Sequence, residues 1–284
     1  MLETVFFNLK AKTRAAGVIC KLSRGVLTPV FFVCIVYGIS RGDADQNASR
    51  FAHSYLIHLP GIAGPTYFDG ELVRGLQSGG YDGRIEIYDW TEADPGLAAL
   101  WSRQRNEREA AAIADKIVSI FKSDPLAQIT VTAHSGGVGV AVWALERLPK
   151  GVQVQTMLLL SGALSPQYDL SKALRHVCGK AYSFSSVNDA VVLGAGTRMF
   201  GTIDGVDCDA AGRVGFSTPP GADPAAYQKL VPRPYQQAWI KLGNIGDHIG
   251  TLQTLFAQHV LAPLVLQGLG ATITTQPTTA PAHG

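Results

Sequence analysis

The run Ala133-His134-Ser135-Gly136-Gly137 is the part of this chain best placed to do chemistry. A serine among small residues closes the apolar stretch QITVTAH and opens VGVAVWALERL, giving a G-x-S-x-G pattern with alanine in the first place. Such a serine sits on a tight strand-to-helix turn, where its hydroxyl stands clear of the backbone. Small neighbours are needed there because larger ones would collide with adjacent elements. The chemistry this predicts is nucleophilic attack on a carbonyl. The amide of Gly136, close to a helix N-terminus, would face the charge that develops on the carbonyl oxygen. Ala133 adds one methyl to the turn, and Gly137 keeps its far side small. The competing reading is a serine that caps an ordinary helix. A second stretch, His58-Leu59-Pro60-Gly61-Ile62-Ala63-Gly64, follows the apolar run SYLIH directly. Gly61 and Gly64 make a turn that can aim one more backbone N–H, that of Ile62, at the same point. A donor of this kind is worth about 2.7–4 kcal/mol of transition-state stabilisation. Its rival is a phosphate-binding turn, yet PGIAG lacks both the GxGxxG spacing and a P-loop lysine.

These residues need elements to hold them. Short apolar runs at 54–58, 84–90, 128–134, 155–161 and 181–185 have strand length and are bounded by Gly, Pro, Asp or Ser. Between the second and third, Ile113, Ile117, Ile120 and Phe121 form one stripe of a helix over 106–122. Further helices are expected near Pro65 and over 137–147, 169–177 and 249–266. Strands alternating with helices predict a mostly parallel, doubly wound sheet, and runs such as TMLLL suit strands covered on both faces. Ligands of such sheets bind beyond the carboxyl ends of the strands.

With these two stretches in place, and SVNDAVV and GNIGDH following in order, residues 51–267 resemble the α/β-hydrolase superfamily, in particular its small lipase- and esterase-like members. The resemblance implies an α/β fold with helices on both faces of the sheet and a minimal cap. It also implies a nucleophile, acid, histidine order along the chain and two-step acyl transfer that calls for neither metal nor organic cofactor. On that order Ser135 is followed by Asp189 as the acid and His248 as the base. Asp189 stands at the end of the fifth apolar run, where Asp169, Asp204 and Asp207 compete with it and a plain turn aspartate is the bland reading. His248 lies in a glycine-rich loop leading into the last helix. Of the other histidines, His53 and His58 flank the first strand, with His58 supporting the oxyanion turn. His134 packs under the elbow, His176 and His259 fall on expected helices, and His283 is near the C-terminus. The function implied is a serine-dependent carboxylic ester hydrolase acting on a small-molecule ester or lipid. An acyltransferase or thioesterase with the same three residues stays open, as does a binding module on the same scaffold without catalysis.

Composition sets the outer bounds. The 284 residues are 46% hydrophobic and 16% charged, with Lys+Arg 24 against Asp+Glu 22, which excludes a disordered chain. A net charge of +2 gives no footprint for nucleic-acid binding. Residues 1–40 combine a basic start with an uncharged apolar run over 25–40, which reads as an export signal or membrane anchor. That run offers a membrane contact, although Pro29 and a length below about 20 residues weaken a full span; a buried N-terminal element and a cytoplasmic location are the alternatives. Residues 41–50 read as a linker, 51–268 as the catalytic domain and 269–284, rich in Thr, Pro and Ala, as a disordered tail. Cys178 and Cys208 allow a disulfide in an exported protein or two isolated thiols. The longest connection, 193–243, is expected to wall a pocket beside the site, with Tyr67, Phe68 and Trp90 as acyl-pocket or core aromatics. The sequence leaves the oligomeric state open.

Overall fold

The computed structural model describes residues 51–92, 94–189 and 201–269. The expected leader and anchor (1–40), the linker (41–50), the C-terminal tail beyond 269 and the start of the 193–243 connection lie outside the described residues. Among the described residues no helix is long and apolar enough to cross a membrane.

Six strands form one sheet: β1 (Ser54–Leu59), β2 (Arg84–Ile87), β3 (Gln128–His134), β4 (Val154–Leu160), β5 (Val177–Ser185) and β6 (Leu230–Pro234). Their order is β2-β1-β3-β4-β5-β6, and every neighbouring pair is parallel. Alternation along each strand decides which helices cover it. Ile57, Val131, Ala133, Met157 and Leu159 face one side, and pack with Ile113 and Ile117 of the helix Arg103–Ser123 and with Val138 to Leu145 of the helix Gly137–Glu146. Leu56, Leu158, Leu160, Tyr182 and Phe184 face the other, against Leu72 and Leu76 of the helix Tyr67–Ser78 and Phe256, Leu261 and Val265 near the C-terminus. Both faces are covered, so this is the doubly wound α/β sheet expected.

The chain leaves β1 for the edge strand β2, then returns to place β3 on the other side of β1. Strand order reverses at that point, and the carboxyl ends of β1 and β3 are where such a sheet places its ligands. Residues 60–66 and 135–137 follow directly from these two strand ends.

Three expectations need correction. The stretch 201–243 is more than a wall of loop: it holds the short helices Ala211–Val214 and Pro224–Tyr227 and the edge strand β6, LVPRP, whose prolines hide its strand character. Proline cannot donate to a ladder and is tolerated at a sheet edge, which is where β6 sits. The last helix is not continuous from 249: a 3-10 turn (Gly250–Leu252) precedes the helical turn Thr254–Phe256, a π segment (Ala257–Leu261) and a final helix Ala262–Gly268. Pro263 explains the π segment, because its missing N–H forces the register to widen ahead of it. The helix expected over 169–177 is limited to Ser171–Arg175, so the connection between β4 and β5 holds one short helix and no cap domain. Cys178 and Cys208 are both free, which leaves the disulfide unformed.

Candidate active site

Ser135 follows the last residue of β3 and has φ 54°, a left-handed conformation that non-glycine residues rarely adopt. The strain is held from both sides. Its amide extends the sheet ladder by donating to Leu160 O at 3.0 Å, and its carbonyl accepts from Ala163 N–H at 3.0 Å and Val138 N–H at 3.1 Å. Immediately behind it, a methyl on Gly137 would lie 2.4 Å from Pro60 O and 2.6 Å from Leu59 O. Glycine at 137 is therefore what allows the elbow to lie directly against the end of β1. Ala133 is fully buried and fits its place with its methyl in the core.

The loop after β1 comes to the same spot. A methyl at Gly61 would sit 3.3 Å from Ser135 Cβ, and one at Gly136 would sit 2.6 Å from Ile62 Cγ2. Gly64 (φ 73°) turns the loop back, with its N–H on Gly61 O at 3.1 Å. Ile62 O accepts from Gly96 N–H at 2.5 Å. Among the described residues, neither Ile62 N–H nor Gly136 N–H is matched with a backbone carbonyl. Trp90, expected as pocket or core, is fully buried; its Nε1–H donates to Pro60 O at 2.7 Å and its ring lies against Gly136. It clamps the loop that carries Ile62. Tyr67 is largely exposed and Phe68 is half-buried in the core.

The carboxylate and the imidazole arrive on two further loops. Asp189, buried, follows β5 in a turn closed by its own N–H on Ser186 O at 2.9 Å. His248 Nδ1–H donates to Asp189 Oδ1 at 2.8 Å. This contact depends on Gly246, whose φ is 85° and where a methyl would lie 2.8 Å from Ser186 Oγ and 3.2 Å from Asn188 Nδ2. Buried Asn244 shapes the turn by accepting Gly246 N–H at 2.9 Å. With Nδ1 committed to the carboxylate, neutral His248 carries its lone pair on Nε2.

Five of the competing residues are engaged elsewhere. Asp204 accepts from Ser165 N–H at 3.0 Å, and Asp169 accepts from Ser171 N–H at 2.9 Å ahead of a short helix. His53 is held by Asp124 at 2.7 Å, and His176 Nδ1–H donates to Val152 O at 2.8 Å. His58 has zero exposure and donates through Nε2 to Asp69 Oδ1 at 2.8 Å. Asp69 Oδ2 takes the Thr66 N–H at 2.7 Å and the Thr66 hydroxyl at 2.6 Å. This pair thus ties the far end of the loop after β1 back to that strand. Burial raises the Asp69 carboxyl, but the bonds from His58 and Thr66 outweigh it and hold the group below the usual carboxylate range.

His134 does more than fill space under the elbow. Its Nε2–H donates to the backbone carbonyl of His248 at 2.8 Å, and the two imidazole rings lie 4.7 Å apart. Burial, followed by the neighbouring His248, pushes the His134 imidazolium down to about 3, so the ring is neutral near pH 7. Ser135, Gly61, Ile62 and Gly136 are thereby gathered around one point, and the Asp189–His248 pair is joined to that point through His134. Among the described residues, Ser135 Oγ and His248 Nε2 do not hydrogen-bond to each other. Among the described residues, no group of three or more His, Cys, Asp or Glu side chains is arranged to hold a metal ion.

Sequence reasoning missed the Trp90 bond to Pro60, Asn244, the His134 bond and the Thr66–Asp69 pair. Thr66-x-x-Asp69 carries the form of a capping box, so that one was open to detection from the sequence.

No protein-family model matches the chain, and no curated protein matches it. Among solved structures it is similar to a cutinase-like protein from Cryptococcus sp., at 14% identity over 79% of this chain and 98% of that one, with a TM-score of 0.44. It is also similar to a protein of the α/β superfamily from Xanthomonas campestris, at 12% identity over 75% and 98%, TM-score 0.44. A third is the NocB thioesterase domain from the nocardicin cluster, at 15% identity over 77% and 95%, TM-score 0.39.

Proposed function

We propose that this protein is a serine-dependent carboxylic ester hydrolase in which Ser135, His248 and Asp189 act together. The observation that carries the reading is the 2.8 Å bond from His248 Nδ1–H to buried Asp189, made at the same edge of the sheet as a serine strained to φ 54°. In the reaction His248 Nε2 takes the Ser135 proton as Oγ attacks the ester carbonyl. The resulting oxyanion is held by the Ile62 and Gly136 amides. His248 then protonates the departing alcohol, leaving an acyl-serine. Water, deprotonated by His248, attacks the acyl-serine; the acid is released as His248 returns that proton to Ser135 Oγ. The Ser135–His248 bond belongs to the substrate complex, since catalytic hydrogen bonds are commonly long in free enzymes and tighten on binding. Asp189 holds the tautomer and stabilises the imidazolium without itself taking the proton.

The uncharged run over 25–40, flanked by basic residues, supports export or membrane anchoring as the setting for this activity. An ester or lipid substrate fits the reading, and nucleic acid does not, given the balanced charge.

The test is a chain-length series of p-nitrophenyl esters with the parent protein and Ser135→Ala, with and without an added alcohol acceptor. Hydrolysis by the parent and its loss in Ser135→Ala are expected. Ester formation with the alcohol in preference to hydrolysis would make the protein an acyltransferase. Equal rates in the two proteins would remove Ser135 from the chemistry.

A further inference from the structure

We infer that His134 is a positioning residue for His248: its Nε2–H, donated to the His248 backbone carbonyl, fixes the base loop against the nucleophile elbow. The inference rests on the reading of Ser135 and His248 given above. Three observations carry it. The donor is adjacent in sequence to Ser135, so any movement of the elbow is passed through one residue to the base loop. The bond is 2.8 Å long and partly buried, and joins positions 114 residues apart. The His134 ring is also gripped on its other side, where Gly61 approaches Nδ1 so closely that a methyl would lie 3.3 Å away. One imidazole thus touches the elbow, the oxyanion loop and the base loop.

The chemistry of the ring suits this task. A carbonyl can only accept, so His134 must carry its proton on Nε2. The groups that face it are His248 and its partner Asp189 on two loops, His58 on β1, and Asp69 on the helix Tyr67–Ser78. A second imidazolium among them would repel the one that forms on His248 during attack; burial prevents this by keeping His134 neutral. A lysine or arginine could supply the same N–H only with a charge. The donor also sets distance: displacement of a catalytic group by about 1 Å can cost about 10²-fold in rate, and the Ser135–His248 bond has still to close on substrate.

Four full-length proteins test this: the parent, His134→Phe, His134→Gln and His134→Asn. Phenylalanine keeps a ring but no donor. Glutamine can place an amide N–H where Nε2 stands, whereas the amide of asparagine falls short of the His248 carbonyl. Two readouts are taken, kcat and KM on p-nitrophenyl butyrate, and the low-field proton resonance of His248 Nδ1–H followed with pH. The expected result is a kcat lower by about 10²-fold with KM little changed in the Phe and Asn variants. In both, the His248 resonance is shifted or broadened, and Gln rescues both readouts. Parent values in the Phe and Asn variants would overturn the inference, as would an equal loss in all three with the resonance unmoved. Should His134→Phe not fold, the Gln and Asn pair decides. If the parent and Ser135→Ala show the same activity, the hydrolase reading fails; the resonance alone then tells whether His134 holds His248.

Discussion

At the scale of single residues, the account turns on which side-chain atoms are already spoken for. His248 Nδ1 is committed to Asp189 at 2.8 Å, so only Nε2 is left to act as a base. Replacing Asp189 by asparagine keeps the shape but offers an N–H where an acceptor is needed. Asp189→Asn should therefore lower kcat by about 10⁴-fold, the scale seen when a serine protease loses the same carboxylate, with folding retained by circular dichroism. Near-parent turnover would remove Asp189 from the chemistry. His134, by contrast, shows how a residue in the middle of a motif acquires a role that its neighbours do not announce. The x of the elbow tolerates many residues in principle, and here its partner lies on a loop that no local pattern connects to it.

At the scale of elements, the decisive contact is the one between the elbow and the end of β1. Gly137→Ala would drive a methyl to within 2.4 Å of Pro60 O, and a backbone carbonyl cannot give way as a side chain can. Overpacking of this kind costs about 1–3 kcal/mol. The expected result is a lower urea midpoint at unchanged slope, together with reduced ester hydrolysis as the Ile62 loop is pushed out. An unchanged midpoint would show that the elbow does not rest on β1. The elements themselves were largely legible. The alternation of Leu56 with Ile57 and of Leu158 with Leu159 reads as strands buried on both faces, and β3 spans Gln128–His134 as expected. Strand-end placement pointed to Asp189 and a glycine-rich loop to His248, and the fold pairs the two at 2.8 Å. What stayed hidden has physical causes. The two prolines of LVPRP mask β6, which can carry them only because it is an edge strand. Pro263 opens a π segment in what periodicity presents as one helix. Trp90 reads as a core aromatic because its bond to Pro60 O depends on a tertiary contact.

At the scale of the whole molecule, folding buries His134 beneath the elbow, and this has a consequence in acid. The His134 imidazole is held neutral, with its protonation pushed from the ordinary value down to about 3. Below the unfolded value of about 6.5 the unfolded chain binds a proton that the folded one refuses, so stability falls with falling pH. The loss runs from about pH 6.5 to about 3. Asp69 acts lower in the scale: its carboxyl is held below the usual range, so its contribution is present above about pH 4 and is lost as pH falls further. His134→Gln should flatten the loss of stability between pH 6.5 and 4, measured as urea midpoints at several pH values, and leave the fall below pH 4 that Asp69 contributes. The same acid dependence in both proteins would mean that His134 takes up its proton without cost. The proposed triad is likewise a property of the whole fold, since Ser135, Asp189 and His248 stand on loops after β3, β5 and β6. The most direct measurement is reaction of the native protein with a fluorophosphonate, followed by peptide mapping of the adduct. One phosphonyl group on Ser135 is expected, lost when the protein is unfolded in urea and much slowed in His248→Asn. No adduct on Ser135, or one formed as fast in the unfolded chain or in His248→Asn, would contradict the account.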